Sequence, residues 1–99
     1  MDISVIIPTY NRKLKLKACL DSLFTQSYPR DAFEIIVIDD ESVDGTGDML
    51  CALSKINQNL RYFIQSHSGP AAGRNLGIKH ARAGIVGFTD SDCILDKDW

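Results

Sequence analysis

This 99-residue sequence predicts a Rossmann-like, three-layer α/β/α fold built on a mainly parallel sheet. Three observations carry that reading. Short apolar runs without alternation, Ile35 to Ile38 and Ile85 to Thr89, suit strands buried on both faces. Between such runs lie stretches with the 3.6-residue spacing of amphipathic helices. The resulting order is β-α-β-α-β-α-β, with no repeat, linker or low-complexity tract, and such alternation implies parallel strands joined by helical crossovers.

The elements follow in turn. Ser4 to Ile7 reads as the first strand, ended by Pro8, which cannot donate to a ladder. Thr9, Tyr10 and Asn11 form a loop, with Asn11 as the N-cap of a helix. Leu16, Cys19, Leu20, Leu23 and Phe24 lie on one face of that helix, which stops near Gln26; Lys13, Lys15 and Lys17 fall outside the stripe. Phe33 to Ile38 is the second strand. An acidic loop, Asp39-Asp40-Glu41, leads into a helix that turns Met49, Leu50, Leu53 and Ile56 inward, with Asp44 as a cap or turn residue. Leu60 to Gln65, less apolar, reads as a strand nearer the sheet edge. Pro70 suits a first helical turn, Ala71 to Ala83 the helix, and Gly84 its C′ position. The buried strand Ile85 to Thr89 follows, then Asp90-Ser91-Asp92. Asp96 to Trp99 opens another helix.

Composition sets the outer bounds. Apolar residues make up 44% and charged residues 24%, with a formal net charge of −2 and both signs scattered. That leaves no basic footprint for nucleic acid, and no apolar run approaches the roughly 20 residues of a membrane span. Cys19, Cys51 and Cys93 are far apart and lack C-x-x-C spacing. They read as reduced thiols of a cytoplasmic protein, not as a disulfide frame or zinc site. His67 and His80 lack metal-ligand spacing and read as surface or loop histidines.

On a parallel topology Thr9, Asp39-Asp40 and Asp90-Asp92 all reach strand carboxyl ends along one rim, where open α/β sheets bind ligands. Two close carboxylates repel unless a cation sits between them, and a hard divalent ion with phosphate oxygens on its far side fits. An acidic rim of this kind suggests a phosphate-bearing ligand, a nucleotide first.

With those segments placed, the chain resembles the family 2 inverting glycosyltransferases, which have the GT-A fold. S-V-I-I-P-T-Y-N-R (Ser4 to Arg12) is similar to that family's opening strand, and E-I-I-V-I-D-D-E-S-V-D-G-T (Glu34 to Thr46) to its second motif. G-P-A-A-G-R-N-L-G-I (Gly69 to Ile78), then A-R-A-G-I-V-G-F-T-D-S-D (Ala81 to Asp92), resembles its third motif and its D-x-D. The resemblance implies a nucleotide-sugar donor, a UDP-sugar first, with Mg2+ or Mn2+, and an unidentified glycan or lipid acceptor. Carried over residue by residue, Pro8, Thr9 and Tyr10 line the base and ribose, and Asp40, with Asp39 beside it, bonds the base. Arg74 lies near base or phosphates, Asp90 contacts ribose, and Asp92 ligates the metal.

The family's acceptor half and its general base normally lie beyond the D-x-D. Residues 1–99 are therefore expected to be the N-terminal donor-binding part of the domain, inactive alone. They are also expected to pair as a homodimer through the strand Ile85 to Thr89, whose far neighbour would come from later residues. A nucleotide-binding module without catalysis is the alternative. A phosphatase of the haloacid-dehalogenase type ranks lower, because its Asp-x-Asp follows the first strand, where this sequence has Pro8-Thr9-Tyr10.

Overall fold

Strand β1 (Ile3–Thr9) is flanked on both sides by parallel partners, which makes it the axis of the molecule. The computed structural model describes residues 2–91. Helix α1 (Lys13–Phe24), a 3-10 turn (Arg30–Ala32), β2 (Phe33–Asp39), α2 (Thr46–Ile56), β3 (Leu60–Ile64), α3 (Pro70–His80) and β4 (Ile85–Phe88) follow. The four strands lie in the order β3-β2-β1-β4, all parallel. Asp92, Cys93 and the helix expected from Asp96 lie outside the described residues.

The period-2 geometry of the strands sorts their side chains into two cores. Val5, Ile7, Ile35 and Val37 point to one face, where Leu16, Cys19, Leu20 and Leu23 of α1 and Leu50 of α2 cover them. Ile6, Ile36 and Ile38 point to the other, under Leu76 of α3. The expected three layers therefore form, and the non-alternating run Ile35 to Ile38 is fully buried. Ile56, placed inward from its spacing, is exposed at the end of α2.

Helix α3 packs tightly because it presents glycine to the sheet. A Cβ on Gly77 would fall 2.4 Å from Cγ2 of Ile6, and one on Gly73 would fall 3.2 Å from Cβ of Pro8. This contact sets the helix beside the carboxyl end of β1.

Several boundaries differ from the sequence reading, each for a physical reason. Pro8 does not end β1, which continues to Thr9. The Thr9 carbonyl accepts from Asp40 on the β2 side and the Ile6 carbonyl from Thr89 on the β4 side. By alternation the missing N–H of Pro8 faces β4, whose paired residues end at Phe88 opposite Ile6. Asn11 is not the N-cap: it takes φ 50, and Arg12 holds the cap position, its side chain not serving as the cap. Asp44, across the loop, accepts from the backbone N–H of Lys13 at 3.0 Å and from Thr46 at the start of α2. One carboxylate thus serves the first turns of two helices, matching its expected role as a cap. Helix α1 ends at Phe24, short of Gln26.

Helix α3 stops at His80, so Gly84 is not its C′ residue. The backbone N–H groups of Arg82 and Ala83 are drawn to Glu34 (2.7 Å) and to the Ser4 hydroxyl (3.1 Å) instead. Strand β4 is not buried on both faces. Among the described residues it forms a sheet edge, with Ile85 64% and Phe88 44% exposed.

Candidate functional site

The carboxyl ends of β1, β2 and β4 converge as the topology requires. The register sets Thr9 opposite Asp39, and Asp40 then donates its backbone N–H to the Thr9 carbonyl at 2.9 Å. A hollow of about 430 Å3 opens at this rim. Pro8, Thr9, Tyr10, Asp40 and Asp90 all line it. A second hollow of about 270 Å3 shares Pro8 and Asp90 and adds Arg74. Seven of the eight residues singled out from sequence are described, and six of those seven wall these two spaces.

Asp39 is the one that does not. It is 1% exposed, and its Oδ1 accepts from the backbone N–H of Ser42 at 3.1 Å, closing the turn after β2.

Asp40 is held by four donors. Oδ1 accepts from Gln65 Nε2 and from the backbone N–H of Ser68, both at 2.8 Å. Oδ2 accepts from the backbone N–H of Gly69 at 3.2 Å and lies 2.7 Å from Nδ1 of His67. The Ser68 N–H does most to hold its carboxyl below the ordinary aspartate value, with help from Gln65, Gly69 and His67 against the opposing effect of burial. Asp40 is therefore an anion that ties the loop before α3 to the end of β2.

The Thr9 hydroxyl is buried in this wall and has no hydrogen-bond partner among the described residues. Buried hydroxyls are nearly always satisfied, so an orphan at a cavity wall is a natural contact for a bound ligand. Asp90 stands exposed, while Ser91 beside it is buried. Its carbonyl lies 3.7 Å from the Cys19 thiol, a weak contact that ties the loop after β4 to α1. Among the described residues no three His, Cys, Asp or Glu side chains cluster to hold a metal, and no helix is long and apolar enough to cross a membrane.

Sequence reasoning missed Gln65 and His67. By sequence Gln65 reads as the last residue of a strand, yet its side chain donates to Asp40. His67 reads as a surface or loop histidine and is exposed, but it also pairs with Asp40 and packs on Tyr10, ring centroids 4.5 Å apart. Neither carries a local signal, because both side chains act on a residue 25 or more positions away.

Comparison with known proteins agrees with this geometry. Residues 4–99 match the model of Glycosyl transferase family 2. The chain is 36% identical over 98 residues to the glycosyltransferase AglE of Haloferax volcanii, covering 98% of this chain and 32% of AglE. It superposes on Staphylococcus aureus TarS (residues 1–349) in complex with UDP-GlcNAc with a TM-score of 0.86 at 37% identity, covering 93% of this chain and 27% of that one. A mannosyltransferase of Pyrobaculum calidifontis in complex with GDP-Man and Mn2+ gives a TM-score of 0.84 at 33% identity, over 91% of this chain and 27% of that one. The chain thus spans about a third or less of these relatives. A phosphatase is not favoured, since the acidic pair follows β4 and not β1. From its rim, its parallel α/β sheet and these likenesses together, the chain belongs to glycosyltransferase family 2.

Proposed function

We propose that residues 1–99 are the nucleotide-sugar-binding part of a glycosyltransferase domain that takes a UDP-sugar, with Mg2+ or Mn2+, for inverting transfer. The observation that carries this is the convergence of the Thr9 hydroxyl, Asp40 and Asp90 on one hollow of nucleotide size. Tyr10 offers the base an aromatic face, and Asp40 an anionic acceptor for a base N–H. Arg74, in the adjoining hollow beside Asp90, suits a diphosphate. TarS binding UDP-GlcNAc supports the uridine choice.

Mg2+ sites commonly use one or two carboxylates plus substrate phosphates; Asp90 lines the hollow, where it would meet the ribose, and Asp92, two residues later in the sequence, would be the metal's carboxylate ligand. The ion would offset charge on the departing diphosphate. The mannosyltransferase solved with Mn2+ supports that reading.

An inverting transfer also needs a base to deprotonate the acceptor hydroxyl. Asp40 is engaged by four donors and Asp39 is enclosed, so we assign the base to neither. The proposal therefore separates binding from turnover: residues 1–99 bind donor and do not transfer sugar to the glycan or lipid acceptor. The partners are a nucleotide-sugar and, through the exposed edge of β4, a second copy of the chain. Calorimetric titration with UDP, with and without Mn2+, tests the site. Metal-enhanced binding supports it; equal binding without metal removes the metal role, and no binding at all removes the function.

A further inference from the structure

The Asp40 carboxylate has about four lone-pair sites, and four donors occupy them. A nucleobase N–H can reach this carboxylate only by replacing one of them. Two of the four are the backbone N–H groups of Ser68 and Gly69, just before α3, fixed by the chain itself. The third, Gln65, is also tied to the Gly69 carbonyl at 3.2 Å. His67 differs: its side chain is 61% exposed and free to turn toward solvent.

The placement of that ring is informative. It is a flat aromatic ring that offers Nδ1 to Asp40 at 2.7 Å and lies against Tyr10, 4.5 Å between centroids and tilted by 40°. A planar heterocycle that stacks on an aromatic side chain while pairing its N–H with a carboxylate is how a nucleobase would sit here. We infer that the His67 imidazole occupies the nucleobase's own place on Asp40 and Tyr10, and that a bound base displaces it. His67 is thus an internal competitor that sets the affinity of the site. This rests on the nucleotide reading above and deepens it.

The loop that carries the ring is itself held: Glu41, in the loop after β2, accepts the His67 backbone N–H at 3.3 Å. Displacing the imidazole therefore moves a side chain and leaves the backbone where it is.

The experiment compares UDP titrations of the parent and His67→Ala, both with Mn2+. His67 is exposed, so an unchanged melting temperature is expected to show that the variant folds. The expected result is UDP binding about two- to fivefold tighter in the variant, the scale of one exposed ion pair. Equal or weaker binding by His67→Ala, with the parent binding well, overturns the competitor and leaves the nucleotide site standing. Absence of UDP binding in both proteins overturns both.

Discussion

The Asp40 carboxylate lies 2.8 Å from the backbone N–H of Ser68, a residue 28 positions later in the chain. With the Gly69 N–H on its other oxygen, it fixes the loop that leads into α3. The same carboxylate is the proposed acceptor for a base N–H, so loop order and ligand binding share one residue.

Asp40→Asn is therefore expected to weaken UDP binding by about tenfold, since bonds to a charged acceptor are worth about 1.5–3 kcal/mol. The amide protons of Ser68 and Gly69 are expected to exchange faster while those of β1 and β2 keep their protection. Hydrogen exchange and a UDP titration together check this. Unchanged exchange at Ser68 with unchanged UDP affinity would remove both roles.

Glu34, a buried residue of β2 opposite Ser4 of β1, accepts from Ser4 Oγ (2.6 Å), the Arg82 N–H (2.7 Å) and Arg61 (2.9 Å). Burial alone would raise its pKa. The bonds from Ser4, Arg82 and Arg61 outweigh that and hold it below the ordinary glutamate value. Its stabilisation is then fully present above the unfolded-state value and is lost as pH falls through the lower native value. Melting temperatures of the parent are expected to fall below about pH 4. Glu34→Ala, which leaves Arg61 without its carboxylate, is expected to cost about 3 kcal/mol at neutral pH. Urea denaturation of both proteins at pH 7 and pH 4 measures it; a variant as stable as the parent contradicts the account.

Gly77→Ala places a methyl 2.4 Å from Cγ2 of the buried Ile6, so helix or strand must shift to admit it. Overpacking of this kind costs about 1–3 kcal/mol, against the gain that alanine normally brings to a helix. A thermal melt is the measurement, and a stabilised variant would show that α3 is not seated as described.

If Asp92 ligates the metal, Asp92→Ala is expected to abolish the gain in UDP affinity that Mn2+ gives. The loss is on the order of tenfold, about 1.4 kcal/mol of binding. Binding measured without metal is expected to change little. Titrations with Mn2+ and with a chelator separate the two cases, and retention of the full metal effect would move the ligand elsewhere.

Strand β4 leaves one edge without a strand partner among the described residues, and Ile85 and Phe88 stand exposed on it. Uncharged edges of this kind pair with other strands. The chain is expected to associate at high concentration, and Ile85→Lys to reduce that association. Light scattering across a concentration series checks it; a monodisperse monomer throughout sinks the idea.

The sequence by itself determined the alternation of strands and helices, because burial on both faces shows as unbroken apolar runs such as Ile35–Ile38 and helix faces show as periodic ones such as Leu16–Leu23. It also determined that Thr9, Asp40 and Asp90 share a rim, since parallel strands with helical crossovers place all their carboxyl ends on one side. Tertiary structure decided what depends on contacts remote in the chain. The end of α3 at His80 is set by Glu34 and Ser4, and the start of α1 by Asp44, none of them visible in local propensity. The same holds at the site. Asp39 and Asp40 are adjacent and chemically identical, yet one closes a turn while the other faces the hollow, because successive side chains of a strand point to opposite sides. His67 gained its place on Asp40 and Tyr10 only when β1, β2 and the loop before α3 came together.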